Sequence, residues 1–97
     1  MNTEIKALQF DLSDDAREYL GKKLERIHNA EQMIVDLLIT LKKEKSFEAA
    51  ATVNLRWGDT VRVSESDFDL RAAIDKMIDK LDSKMTKEKE KMREKRP

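Results

Sequence analysis

The sequence predicts an α+β fold of order β-α-β-β-β-α, a four-stranded mixed sheet with two helices packed on one face. Three observations predict it. Apolar residues recur at every second position in four segments, the period of a half-buried strand. They recur at helical spacing in two others, one after Ser13 and one after Asp69. Each strand segment has a single apolar face, so both helices are expected to cover the same side and leave the other wet.

The elements follow in order. Residues 3–9 read as a short strand with Ile5 and Ala7 on one face. Ser13 is a good N-cap, and Asp14 and Asp15 stand in the first turn, where carboxylates suit the helix dipole. Ala16, Tyr19, Leu20, Leu24 and Ile27 then mark an amphipathic helix over 14–28, weakened somewhat by Gly21. In 33–44, Val35, Leu37, Ile39 and Leu41 alternate as a second strand. Residues 47–57 repeat the pattern with Phe47, Ala49, Ala51, Val53, Leu55 and Trp57 on one face. Lys45-Ser46 and Gly58-Asp59 read as hairpin connections, the second with glycine placed for a type II′ turn. A fourth strand over 60–65 turns Val61 and Val63 inward. Ser66 or Asp67 is expected to cap the long last helix, with Asp69 in its first turn. The first βαβ unit makes strands one and two parallel; the rest is an antiparallel meander.

Composition sets the outer bounds. Ninety-seven residues, 41% of them charged, suit one domain with a small core under a heavily solvated surface. There is no cysteine, so disulfides and thiolate metal sites are excluded. No apolar run approaches the roughly 20 residues that span a bilayer, and MNTEIKAL lacks the plan of a signal peptide, so the expected location is cytoplasmic. With two glycines and one proline, neither an internal linker nor a glycine-rich phosphate loop can be drawn.

Twenty basic and twenty acidic residues cancel, but the last helix does not distribute them evenly. On a helical wheel Lys76, Lys80, Lys84, Lys87, Lys91 and Lys95 fall within roughly 100° of arc. Leu70, Ile74, Met77, Ile78, Leu81, Met85 and Met92 fill the adjoining arc, and Asp75, Asp79, Asp82 and Glu90 collect on the far side. A one-sided lysine ridge is what a polyanion backbone reads. Charged helix faces are also ordinary solvated surface. Glu88, Glu90 and Glu94 interleave the tail lysines at spacings that make pairs worth only about 0.2–0.5 kcal/mol each. Both readings stay open on charge alone. Helix one carries Lys22 and Arg26 beside its apolar stripe and Lys23 near it. Packed side by side, the two helices are expected to align these with the ridge as a basic groove. Beyond Met85 roughly 17 Å of charged helix has little to pack on.

The remaining chemistry-bearing residues have structural readings. His28, the one histidine, stands at the end of helix one, near its carbonyls, with no second histidine or cysteine to share a metal. Ser13, Ser46, Ser64 and Ser66 read as caps and turns, and the pairs Asp14/Asp15 and Asp67/Asp69 fall at helix starts. Trp57 has the parity of the buried face, with an exposed stacking platform as the alternative. Nothing in the pattern requires an enzyme or a cofactor.

Asp69-Leu70-Arg71-Ala72-Ala73-Ile74-Asp75, continuing through Ile78-Asp79-Lys80-Leu81 to Thr86-Lys87, resembles the final helix of the short ribosome hibernation-promoting factors. That family includes ribosome-associated inhibitor A and was formerly called the sigma-54 modulation proteins. Leu12-Ser13, Ala16-Arg17-Glu18-Tyr19 and Lys23-Leu24 resemble its first helix, so the likeness spans nearly the whole chain. The resemblance implies a stress or stationary-phase factor that binds the small ribosomal subunit in the mRNA and tRNA channel and stops translation without chemistry. Its partners would be 16S-type ribosomal RNA and, as further candidates, ribosomal proteins, with no membrane and a monomeric state off the ribosome. Matched by position, the RNA contacts would be Lys23, Arg26, Lys80, Lys87, Lys89 and Lys91; Lys76 and Lys84 join them from the wheel. Ser83, Arg71 and Glu88 depart from the residues usual in relatives, which are arginine, tyrosine, and an aromatic or histidine. The chain ends at Pro97, so residues 1–97 are expected to be a single ribosome-binding domain with a charged tail over about 86–97 and no C-terminal dimerisation domain. The alternatives from other classes are a protein-interaction module working through the wet sheet face or the protruding helix, and a general double-stranded-RNA-binding domain.

Overall fold

The computed structural model describes residues 2–94; Lys95 of the expected ridge lies outside them, as do the side chains of His28, Asn29, Arg93 and Glu94. Strand β1 spans Asn2–Leu8, helix α1 Asp14–Leu24, a 3₁₀ segment Glu25–Met33, β2 Ile34–Lys43, β3 Phe47–Leu55, β4 Thr60–Asp67 and helix α2 Leu70–Glu94. The sheet order is β1-β2-β3-β4, with β1 parallel to β2 and the other pairs antiparallel. This is the mixed α+β sheet the sequence predicts. No helix among the described residues is long and apolar enough to cross a membrane.

One layer of side chains makes the core. Leu37, Ile39 and Leu41 of β2, Ala49, Ala51, Val53 and Leu55 of β3, and Val61 and Val63 of β4 meet Ala73, Ile74, Met77, Ile78, Leu81 and Met85 of α2. Alanine at 49 and 51 lets α2 approach the sheet closely while bulkier residues fill the space on either side. Among the described residues every buried side chain is apolar, so the core contains no polar group to satisfy. Leu20 is α1's deepest contribution.

Four local expectations are corrected. The first helix does not run to residue 28: α1 ends at Leu24 and the chain tightens into 3₁₀ turns through Met33. Three residues per turn stack Ile27, Ala30 and Met33 on one side, and all three pack on the core. In β2 the buried residue is Ile34, while Val35 is 43% exposed. Ile34 pairs with Leu55 and Asp36 with Asn54, so Val35 is an extra residue, a bulge that reverses the parity at the start of the strand. The β3–β4 connection is not a type II′ turn. Gly58 N–H donates to Leu55 O (3.0 Å), Leu55 N–H donates to Asp59 O (2.8 Å), and Gly58 takes φ +95° at the end of a three-residue loop. Trp57 lies in that loop, half-buried against the core, and its indole N–H donates to Asp59 Oδ2 (3.1 Å).

The start of α2 also differs from the expected one. Strand β4 continues to Asp67 and the helix begins at Leu70, so Asp69 precedes the first turn, its carbonyl accepting from Ala73 N–H. Asp67 Oδ1 accepts from Asp69 N–H (2.9 Å), and Lys76 Nζ approaches Asp67 Oδ2 at 2.9 Å, tying the turn to the helix. Ser13 caps α1 as expected, its Oγ accepting from Ala16 N–H at 3.1 Å.

The bulge predicts unequal costs for two neighbouring apolar residues. Ile34→Ala should destabilise by about 2–4 kcal/mol and Val35→Ala by no more than about 0.5 kcal/mol. Equal shifts in urea unfolding would contradict the bulged register.

The Asp69 N–H, and after it Lys76, hold the Asp67 carboxyl below its ordinary value; Asp67 in turn raises the Lys76 ammonium. For a lowered carboxyl, the stabilisation is present above the unfolded-state value and is lost as pH falls through the folded-state value. Asp67→Asn should therefore have a lower urea midpoint than the parent at pH 7, with the gap closing below about pH 4. Parallel midpoint curves over that range would rule the clamp out.

Candidate nucleic-acid interface

The apolar stripe of α2 faces the sheet, and this sets where its two charged flanks point. The lysine flank lies along β4. Lys76 Nζ reaches Asp67 Oδ2 (2.9 Å) and donates to Ser66 O (3.5 Å). Lys80 Nζ lies 3.2 Å from Glu65 Oε1, and Lys84 Nζ donates to Arg62 O (3.1 Å). The contacts run in opposite chain directions because α2 and β4 are antiparallel. Four helical residues rise about 6 Å, close to the rise of two strand residues, so each successive lysine reaches a site two or three residues further back along the strand: Asp67, then Glu65, then Arg62. β4 pairs only with β3, which leaves its outer edge open. Lysines laid along that edge engage its carbonyls and discourage another strand from pairing there.

The acidic flank of α2 faces α1 and the 3₁₀ segment that follows it. Arg26 is bonded to Asp79 and reaches Asp82 (3.3 Å), and Lys23 Nζ lies 3.4 Å from Asp75. Tyr19 O–H donates to Asp75 Oδ1 (2.6 Å), with Lys23 5.5 Å and Arg71 5.1 Å from its ring centroid. Asp79 above all raises the Arg26 guanidinium, and the bond to Asp75 is the largest cause that raises the Tyr19 hydroxyl.

The basic groove expected from aligning Lys23 and Arg26 with the ridge therefore does not form. Those two cations meet the carboxylates on the opposite flank. The reason is rotational: the lysines and the acids border the apolar stripe on opposite sides, so when the stripe faces the sheet only one set can face α1. Lys89 belongs to that same side, where with Asp82 and Thr86 it lines a small hollow over Ile27 and Ala30. The sequence-derived candidates thus divide. Lys76, Lys80, Lys84, Lys87 and Lys91 share the β4 side; Lys23, Arg26 and Lys89 lie on the α1 side.

Three residues of β4 were missed as neighbours of the ridge. Glu65 and Asp67 bring carboxylates to Lys80 and Lys76, and Arg62 adds a cation beside Lys84 and Lys87. Alternation alone places Arg62 on the polar face, opposite Val61 and Val63. Its proximity to the lysines depends on where α2 lands.

Comparison with known proteins bears on this architecture. The family model described as sigma 54 modulation protein / S30EA ribosomal protein matches residues 3–93. A ribosome hibernation promoting factor of Azotobacter vinelandii is 33% identical over 93 residues, covering 94% of this chain and 85% of the relative. One from Escherichia coli (strain K12) is 28% identical over 95 residues, covering 97% and 99%. Among solved structures, the N-terminal domain of Thermus thermophilus Protein Y aligns with a TM-score of 0.78 at 31% identity, covering 90% of this chain and 98% of that one. A ribosomal subunit interface protein from Coxiella burnetii aligns at 0.84 and 27%, covering 92% and 98%. A match over nearly the full length, on the same β-α-β-β-β-α frame, makes this chain a member of the sigma 54 modulation protein / S30EA ribosomal protein family.

Proposed function

We propose that this chain is a ribosome hibernation factor that binds the small ribosomal subunit over the mRNA and tRNA channel and blocks translation under stress or stationary phase. The observation that carries this reading is the near end-to-end similarity to proteins named ribosome hibernation promoting factor. The lysine flank of α2 supports it by offering a polyanion-facing surface on a chain of zero net charge. In this reading the protein is a single cytoplasmic ribosome-binding domain, monomeric off the ribosome, that needs neither cofactor nor catalysis. Occupying the channel is the mechanism. The sheet holds α2 rigidly, and its lysines dock on ribosomal RNA phosphates with few base-specific contacts. Lys23, Arg26 and Lys89 supply a second contact line on the α1 side, where Lys23 and Arg26 must exchange their α2 carboxylates for phosphates.

Reversal of Lys80, Lys87 and Lys91 to Glu should abolish co-sedimentation with purified small subunits and leave the far-UV circular dichroism unchanged. Undiminished binding of a folded triple variant would overturn the reading. Binding should also weaken steeply with salt, each phosphate contact adding about 0.7–0.9 to the slope of log K against log salt.

Glu65 competes with phosphate for Lys80. Glu65→Gln should tighten subunit binding roughly two- to fivefold at low salt, the scale of an exposed ion pair. Unchanged affinity would show that Lys80 makes no contact with the RNA.

A further inference from the structure

The ridge is not uniform along its length. Lys76 and Lys80 each face a carboxylate from β4, whereas Lys84 is bonded to a carbonyl, and no partner is described for Lys87. Positive charge is therefore best compensated near the start of α2 and least compensated where the helix passes the first residues of β4. There the surface is concave. An open notch of about 280 Å³ is lined by Arg62, Lys84, Lys87 and Lys91, with Glu88 as the one carboxylate on its wall. Glu88 is already 3.6 Å from Lys91. A second hollow of about 350 Å³ shares Arg62 and Lys84, adds Lys80, and continues over the edge strand.

We propose that this notch seats one phosphodiester of an RNA strand and that Arg62 is the residue that fixes it there. The proposal rests on the RNA-binding reading above and adds a contact from the sheet to those from the helices. Arg62 suits the role on three grounds. It is exposed, and no ion pair or hydrogen bond of its guanidinium occurs among the described residues, unlike Arg26 with its two aspartates. Its neighbour across the sheet is Thr52, and next in that row is Leu38, so no acid faces it from the adjacent strands. A guanidinium fork also meets phosphate oxygens through two parallel N–H bonds, which an ammonium cannot do.

Lys84 is the second wall of the seat. Its bond to Arg62 O uses one of three ammonium donors and holds the side chain at the notch, so less rotamer freedom is lost when an anion arrives. Lys80, Lys84, Lys87 and Lys91 follow one another at steps of about 4.5–6 Å along the helix, a repeat that suits the regularly spaced charges of a polynucleotide strand.

The test uses the full chain and purified small subunits across a salt series, with Arg62→Ala and Arg62→Lys beside the Lys80/Lys87/Lys91 reversal to Glu. Arg62→Ala should bind roughly tenfold more weakly and flatten the log K against log salt slope by about 0.7–0.9, one phosphate's share. Arg62→Lys should keep the slope, because the charge remains, but bind less tightly than the parent. Arg62 is exposed, so both variants should keep the parental circular dichroism and unfolding midpoint. Weaker binding of Arg62→Ala with an unchanged slope would overturn the phosphate assignment. Parental binding of Arg62→Ala, with the triple reversal still inactive, would overturn the notch and leave the RNA reading standing. Parental binding of all three variants would overturn both.

Discussion

The packing of α2's apolar stripe against the single apolar face of the sheet governs the rest of this structure. Ile74, Met77, Ile78, Leu81 and Met85 are almost wholly buried, and together they fix the rotation of the helix about its own axis. Burying side chains of this size is worth about 1.5–3 kcal/mol each, against which the exposed ion pairs on either flank are small. Those pairs follow from the rotation and do not set it. Once the stripe is down, the lysines must lie over β4 and the aspartates must face α1.

Each flank then meets a neighbour that suits it. On the α1 side, Asp75, Asp79 and Asp82 receive Lys23, Arg26 and the Tyr19 hydroxyl, which ties α2 to α1 and to the 3₁₀ segment that follows it. On the other side, lysines run along an edge strand whose backbone would otherwise invite pairing. Because a four-residue helical step is close in length to two or three strand residues, Lys76, Lys80 and Lys84 meet β4 in turn from Asp67 to Arg62. The same lysines are the surface proposed to meet RNA, so stability and binding draw on one set of groups. Their β4 carboxylates must be displaced when phosphate arrives, which favours the less compensated, C-terminal part of the row.

Much of this was legible in the chain. Alternation located the four strands, Ser13 marked the start of α1, and the wheel separated lysines, apolar residues and acids on α2. Where the reading slipped, a local device changed the count. One extra residue, Val35, inverts the inside-outside parity at the start of β2. A three-residue loop ending in Gly58 replaces a two-residue turn, and the helical period of α1 gives way to a 3₁₀ period of three that still buries Ile27 and Ala30. None of these alters which segments become strands or helices, because that depends on periodicity over many residues.

The site divides along a similar line. A helical wheel orders the faces of one helix but says nothing about what stands opposite each face. The sequence by itself determined the α+β class, the order of elements, the apolar core and the existence of a lysine row on α2, since each is a property of local period and composition. Only the tertiary structure decided that Lys23 of α1 and Arg26 of the 3₁₀ segment meet the acids instead of joining the lysines, and that Glu65, Asp67 and Arg62 lie beside the ridge. It did so because α2 can bury its stripe in one orientation only, and the path of the chain puts α1 on one side of it and the open edge of β4 on the other.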